Sequence, residues 1–158
     1  RLTTNLDRLG VTIAEIHAFE WGQSGEKKEP DKTEEVFESG FDRILVDVPC
    51  SNTGVLRRRV DARWKIQERD FARQAGHQLN ILTDLAKFLR PGGRLVYSTC
   101  SIDREENQEV IEAFFAEMDD SWVFEEERVS FPLDSGFDGA YAAALTRVGA
   151  GQVLNHAR

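Results

Sequence analysis

The side chains in this sequence best suited to covalent chemistry are two thiols. Cys50 stands in Asp47-Val48-Pro49-Cys50-Ser51-Asn52-Thr53-Gly54 and Cys100 in Ser98-Thr99-Cys100-Ser101, and the chain has no other cysteine. Each follows a short continuously apolar run, Ile44-Leu45-Val46 and Leu95-Val96-Tyr97, the pattern of parallel strands covered on both faces. In open α/β sheets ligands bind beyond the carboxyl ends of the strands, so both thiols fall where a site would be. A cysteine becomes a nucleophile as its thiolate, and strand-end loops that open onto helix N-termini favour that charge. A free cysteine is also an ordinary small buried hydrophobe. Two of them at equivalent strand ends, each in a turn rich in Pro, Ser and Thr, favour the chemical reading.

The elements that must position these thiols can be read along the chain. Leu2, Leu6 and Leu9 have helical spacing and Gly10 follows as a C-terminal cap, which predicts a helix over residues 1–9. Residues 11–18 suit a short strand, and the polar stretch 22–35 suits a loop. Residues 41–48 predict the first strong strand, followed by a loop over 51–60. Beyond that loop a helical region runs to about residue 89, with Ala75, Leu79, Leu82, Ala86 and Leu89 on one face. Arg90-Pro91-Gly92-Gly93 breaks it, and residues 94–99 form the second buried strand. Asp103 with Glu106 has the spacing of a capping box ahead of a helix whose apolar face is Val110, Ile111, Phe114, Phe115 and Met118. Residues 122–148 read as two further strands with Pro132 and Gly136 between them. The order predicts an α/β fold with a parallel sheet.

The chain has 158 residues, 41% hydrophobic and 30% charged, which suits one globular domain over residues 1–150 with a tail at 151–158. No apolar run approaches the length of a membrane span, and no signal-peptide core follows Arg1. Two cysteines make neither a disulfide scaffold nor a four-cysteine zinc site, and they suit the cytosol, where thiols stay reduced. His17, His77 and His156 lack metal-site spacing. Trp21, Trp64 and Trp122 could stack on bases, with core packing the better default. The formal net charge of −8 opposes a protein that simply coats polyanions. Arg57-Arg58-Arg59 with Arg63, Lys65 and Arg69 nevertheless forms a basic segment, which suits either a local nucleic-acid contact or a solvated face.

The two cysteine motifs resemble those of the S-adenosylmethionine-dependent RNA 5-methylcytosine methyltransferases, the Sun/Fmu and Nop2/NSun family. The resemblance extends to Gly54-Val55-Leu56-Arg57-Arg58 with Asp61 and Trp64, to Leu89-Arg90-Pro91-Gly92-Gly93-Arg94, to Glu105-Glu106-Asn107 and to Asp138-Gly139-Ala140-Tyr141. It implies a Rossmann-like class I methyltransferase sheet ordered 3-2-1-4-5-7-6. Residues 11–18 would be its third strand and 41–48 its fourth, with the first two strands and the glycine-rich loop missing, as in a fragment of a longer protein. The implied activity is methyl transfer from S-adenosylmethionine to C5 of cytosine in RNA, with rRNA as the expected substrate, in the cytoplasm, with neither metal nor membrane involved.

By this resemblance Cys100 is the nucleophile that adds to C6 of the base, and Cys50 assists release of the methylated product. Asp47 would bond the pyrimidine near N3 and lie beside the methyl donor; a carboxylate here could instead cap the following turn. Arg57, Arg58 and Arg63 become RNA-binding candidates. Phe19 stands where the family has an acidic residue near the adenine, and Val60 where a proline is common. Without the glycine-rich loop, a non-catalytic RNA-binding or assembly module that keeps the fold is the alternative. A thiol oxidoreductase lacks its Cys-x-x-Cys motif.

Overall fold

The computed structural model describes residues 2–22 and 37–149. Its elements are α1 (Leu2–Leu9), β1 (Phe41–Asp47), α2 (Glu68–Ala86), β2 (Leu89–Thr99), α3 (Gln108–Glu117), β3 (Trp122–Ser130), the short α4 (Pro132–Ser135) and β4 (Ala140–Arg147). Single 3-10 turns cover Thr53–Val55, Ala62–Trp64 and Arg104–Glu106. The four strands form one sheet in the order β1-β2-β4-β3. β1 and β2 are parallel, whereas β4 runs antiparallel to both β2 and β3. This is the 4-5-7-6 portion of the expected order, and residues 122–148 give the two strands predicted for them.

Alternation along the strands decides which face is core. Val46 on β1, Leu95 and Tyr97 on β2, and Tyr141, Ala143 and Leu145 on β4 are buried in one cluster with Ile81, Leu82 and Ala86 of α2 and Val110, Ile111 and Phe114 of α3. Each large side chain in that cluster contributes about 1.5–3 kcal/mol by leaving water. The other face is not covered by the described residues, and Leu45 is 73% exposed on it. The apolar run Ile44-Leu45-Val46 is therefore buried on one side rather than two.

Helix α1 ends as its sequence predicts. Gly10 takes a φ of 66°, and the Gly10 and Val11 amides donate to the Asp7 and Leu6 carbonyls, the bonding of a Schellman cap. The strand expected at residues 11–18 does not form. A strand is held by its neighbours, and β1 is paired with β2 alone; Ile13 is 95% exposed. The segment meets the domain at Trp21 and Gly22. The Gly22 amide donates to Asp84 of α2 at 3.1 Å, and the Trp21 ring lies 6.0 Å from that of Phe88. Part of the predicted 22–35 loop and the 151–158 tail, with His156, lie outside the described residues.

Two boundaries differ from the sequence reading. α2 begins at Glu68, where the Asp70 carboxylate accepts the Gln67 amide at 3.0 Å, so residues 61–67 are turn rather than helix. β2 begins at Leu89 and includes Pro91-Gly92-Gly93; Gly92 at φ 81° lies in the stretch where the pairing with β1 slips between Phe41 and Arg43. Trp122 is buried and Trp21 packs partly against the core. Trp64 is 81% exposed, contrary to its expected core position: it sits on a 3-10 turn outside any sheet or helix face.

Candidate active site

Because β1 and β2 are parallel neighbours with Asp47 opposite Ser98, the turns that follow them leave the sheet side by side. The Val48 amide donates to the Ser98 carbonyl at 3.1 Å, and the Gly54 amide to the Cys100 carbonyl at 2.9 Å. These backbone bonds bring the two thiols together, with Cys50 Sγ 3.0 Å from Cys100 Sγ. Both cysteines are free. Cys50 is 7% exposed, whereas Cys100 is half-buried. Burial, reinforced by the Cys100 thiol beside it, pushes the Cys50 thiol up to about 12, so Cys50 keeps its proton at neutral pH.

The junction of the turns leaves no room for side chains. A Cβ on Gly54 would lie 2.3 Å from the Gly139 carbonyl oxygen and 2.7 Å from that of Cys100. The Gly139 amide closes the contact by donating to the Gly54 carbonyl at 2.8 Å. Three backbone segments, after β1, after β2 and before β4, meet here.

A buried carboxylate clamps the Cys50 turn. Glu106, with no exposed surface, accepts the Ser51 amide at 2.9 Å, the Gln78 side-chain amide at 3.1 Å and the Ser51 hydroxyl. Gln78 also donates to the Pro49 carbonyl at 2.9 Å, and the Tyr97 hydroxyl to the Glu106 carbonyl at 2.6 Å. The capping box expected from Asp103 and Glu106 is therefore not made: the Glu106 side chain reaches across to Ser51 rather than back to Asp103. Asp103 accepts from the Ser101 hydroxyl at 3.1 Å and from the Thr53 hydroxyl, a second bridge between the turns. Thr99 donates to the Asn107 side-chain oxygen at 2.6 Å and Ser98 to the Val46 carbonyl at 3.3 Å.

Cys100 opens onto a cleft of about 710 Å³ on the uncovered face, lined by Leu45, Asp47, Ser98, Val129 and Tyr141 among others. Asp47 is exposed there, and its carboxylate accepts from Ser98 Oγ at 3.3 Å. Burial and the neighbouring Glu127 carboxylate, which accepts the Tyr141 hydroxyl at 2.8 Å, raise the Tyr141 phenol above its usual range. The structure thus brings Cys50, Cys100 and Asp47 to one end of the sheet.

The remaining candidates sit apart from that cluster. Arg57 and Arg58 both pair with Asp138, at 2.6 and 2.8 Å, and Arg57 also donates to the Gly136 carbonyl at 3.0 Å. They brace the approach to β4 beside Gly139. Arg63 is exposed, its guanidinium 5.8 Å from the centre of the Trp64 ring. Phe19 lies 5.2 Å from Phe37, whose ring is 5.0 Å from Phe41 at the start of β1. The length of β1, about 20 Å at ~3.3 Å per residue, separates that aromatic cluster from Asp47. No group of His, Cys, Asp and Glu suited to a metal ion occurs among the described residues, and no helix there is long and apolar enough to cross a membrane.

Over residues 1–146 the chain matches the family "16S rRNA methyltransferase RsmB/F". The probable ribosomal RNA small subunit methyltransferase B of Bacillus subtilis is 50% identical over 114 residues, covering 72% of this chain and 24% of that protein. Ribosomal RNA small subunit methyltransferase B of Proteus mirabilis is 37% identical over 147 residues, covering 93% of this chain and 32% of that protein. The chain thus spans about a quarter to a third of these relatives. The structure of NSun6 from Pyrococcus horikoshii with SFG superposes with a TM-score of 0.72 at 22% identity, covering 94% of this chain and 38% of that one. A methyltransferase homolog from the same organism gives 0.70 at 22%, covering 92% and 48%. These likenesses show the Rossmann-like methyltransferase fold. With its two cysteine turns joined at the end of such a sheet, the chain belongs to the 16S rRNA methyltransferase RsmB/F family.

Proposed function

We propose that this chain is the catalytic part of an enzyme that methylates C5 of a cytosine in RNA, with rRNA as the substrate class and S-adenosylmethionine as methyl donor. The observation that carries the reading is the contact between two free thiols, one buried and one facing an open cleft, at the ends of adjacent parallel strands.

C5 of cytosine is a weak nucleophile. Addition of the Cys100 thiolate to C6 makes the ring an enamine whose C5 can attack an electrophilic carbon, dividing one difficult step into easier ones. Asp47, on the same cleft, suits a hydrogen bond accepted from the pyrimidine edge near N3. Loss of the C5 proton to solvent in the open cleft then restores the C5–C6 double bond and expels the Cys100 sulfur. Cys50 keeps its proton at this pH and, 3.0 Å away, donates it toward the departing sulfur, which suits a role in release.

S-adenosylmethionine supplies the electrophilic methyl group. The donor set fits its cationic methionine end, since Asp47 offers an exposed carboxylate on the cleft that Cys100 faces. Phe19, the residue at the family's adenine position, packs against Phe37 near the start of β1. Arg63 is the phosphate-contact candidate left outside the Asp138 pair, and Arg58 keeps much of its guanidinium in water.

The test is methyl transfer to rRNA by the full-length protein. Cys100→Ala should reduce tritiated-methyl incorporation to background, and measurable turnover would overturn the assignment. RNA binding without methyl transfer by the unaltered protein would instead favour a non-catalytic assembly module.

A further inference from the structure

Asn52 stands two residues past Cys50, in the left-handed region at φ 65°, the only non-glycine residue with positive φ among the described residues. Its side-chain nitrogen donates to the Cys50 carbonyl at 2.8 Å, and its oxygen lies 3.2 Å from Cys100 Sγ. The orientation of this amide is fixed by chemistry. The Cys50 carbonyl can only accept, so the NH₂ must face it and the oxygen must face the thiol. Cys50 holds its own proton and lies on another side of Cys100 Sγ, at 3.0 Å. The contacts close a ring: Cys50 S–H to Cys100 Sγ, Cys100 S–H to Asn52 Oδ1, and Asn52 N–H to the Cys50 carbonyl.

We infer that Asn52 is a positioning residue for the nucleophile: its amide, anchored on the Cys50 turn, fixes the rotamer of Cys100. In the resting thiol the S–H points to Asn52 and one lone pair meets the Cys50 thiol, which leaves the other lone pair to the cleft lined by Leu45, Asp47 and Tyr141; the bond to Asn52 is given up when the thiolate forms, so the amide sets the rotamer from which the sulfur reacts. The inference rests on the reading of Cys100 as nucleophile and adds to it. The Cys50 motif supplies the group that aims the other thiol, as well as its own thiol.

The left-handed backbone offers a competing explanation, since Asn is one of the few residues that adopt it readily and could be present for that reason alone. Glycine separates the two roles, because it keeps the conformation and removes the amide. In the full-length protein, Asn52→Gly should lower kcat by about 10- to 100-fold, the range expected when a reacting atom is misplaced by about an ångström, with KM for RNA unchanged. Asn52→Ala should lose at least as much. Wild-type kcat in Asn52→Gly beside an impaired Asn52→Ala would overturn the inference and leave a purely conformational residue. A drop in kcat accompanied by an equal rise in KM would also overturn it, because a loosened turn disturbs the whole RNA site. Cys100→Ala, run alongside, tells the two failures apart: if it retains turnover, the functional reading has failed and the assignment of Asn52 falls with it, whereas an inactive Cys100→Ala beside a fully active Asn52→Gly overturns the assignment of Asn52 alone.

Discussion

The turn after β1 and the turn after β2 begin alike, each leaving a parallel strand with a cysteine at its first bend, yet their surroundings divide the chemistry between them. The first is buried and clamped by Glu106 through Ser51, and its thiol keeps its proton. The second faces an open cleft, with Asn52 and Cys50 as partners of its sulfur. On the proposed reading, two residues of the same type take different roles from their surroundings: the sulfur proposed to meet the substrate is half-buried, and the one proposed to hold a proton is buried.

Exchanging the fates of the two thiols is the largest way to break this comparison. Cys100→Ala should abolish methyl transfer and form no adduct, whereas Cys50→Ala should accumulate a covalent protein–RNA complex that survives denaturing electrophoresis. The double variant should form none. An active Cys50→Ala protein without adduct would reduce Cys50 to a packing residue. Next in size is Gly54→Ala, whose methyl group would force the Gly139 carbonyl away and separate the two turns. It should cost about 1–3 kcal/mol in a denaturation midpoint, as overpacking does, and most of the activity. Wild-type turnover would show that the turns tolerate separation.

Smaller effects sharpen the comparison. Glu106→Gln keeps the shape but turns a donor toward Gln78 or Ser51, and should cost about 1–3 kcal/mol by urea unfolding. An unchanged midpoint would mean that the clamp contributes nothing. The smallest concerns pH. The Cys50 thiol is raised from 9.0 to about 12, so the folded protein holds this proton more tightly than the unfolded chain does. Its contribution is complete below about 9 and is lost as pH climbs toward 12. Stability should therefore fall across that window, with a shallower fall in Cys50→Ala; identical slopes would show that the buried thiol is not the source.

Much of the sheet was legible because its signals are local. The runs Ile44-Leu45-Val46 and Leu95-Val96-Tyr97 marked β1 and β2, Gly10 marked the end of α1, and Pro132 with Gly136 marked the break between β3 and β4. What misled was whatever depended on a distant partner. Residues 11–18 have the composition of a strand but no neighbour in the described sheet. Asp103 and Glu106 have the spacing of a capping box, and no local rule distinguishes that from a carboxylate committed to Ser51 and Gln78. Of the site, the two thiols and Asp47 could be placed at strand ends from the sequence. Asn52 and Glu106 could not be given partners, since both roles are contacts between turns far apart in the chain. One signal for Asn52 was available, an asparagine two residues past a strand-end cysteine, where left-handed backbone is common.

The glycine contact also bears on when the site comes into being during folding. Gly54 and Gly139 touch through bare backbone, and the partner that closes the junction immediately precedes β4, the last of the described strands. Contacts between such distant positions carry the largest loop-closure cost and tend to form late. A chain arrested before β4 docks would keep the bonds that join the two turns directly, and lack only the Gly54–Gly139 contact that closes over them. Docking of β4 and closure of the Gly54–Gly139 contact are then a single event, the one that finishes the packing around the two thiols.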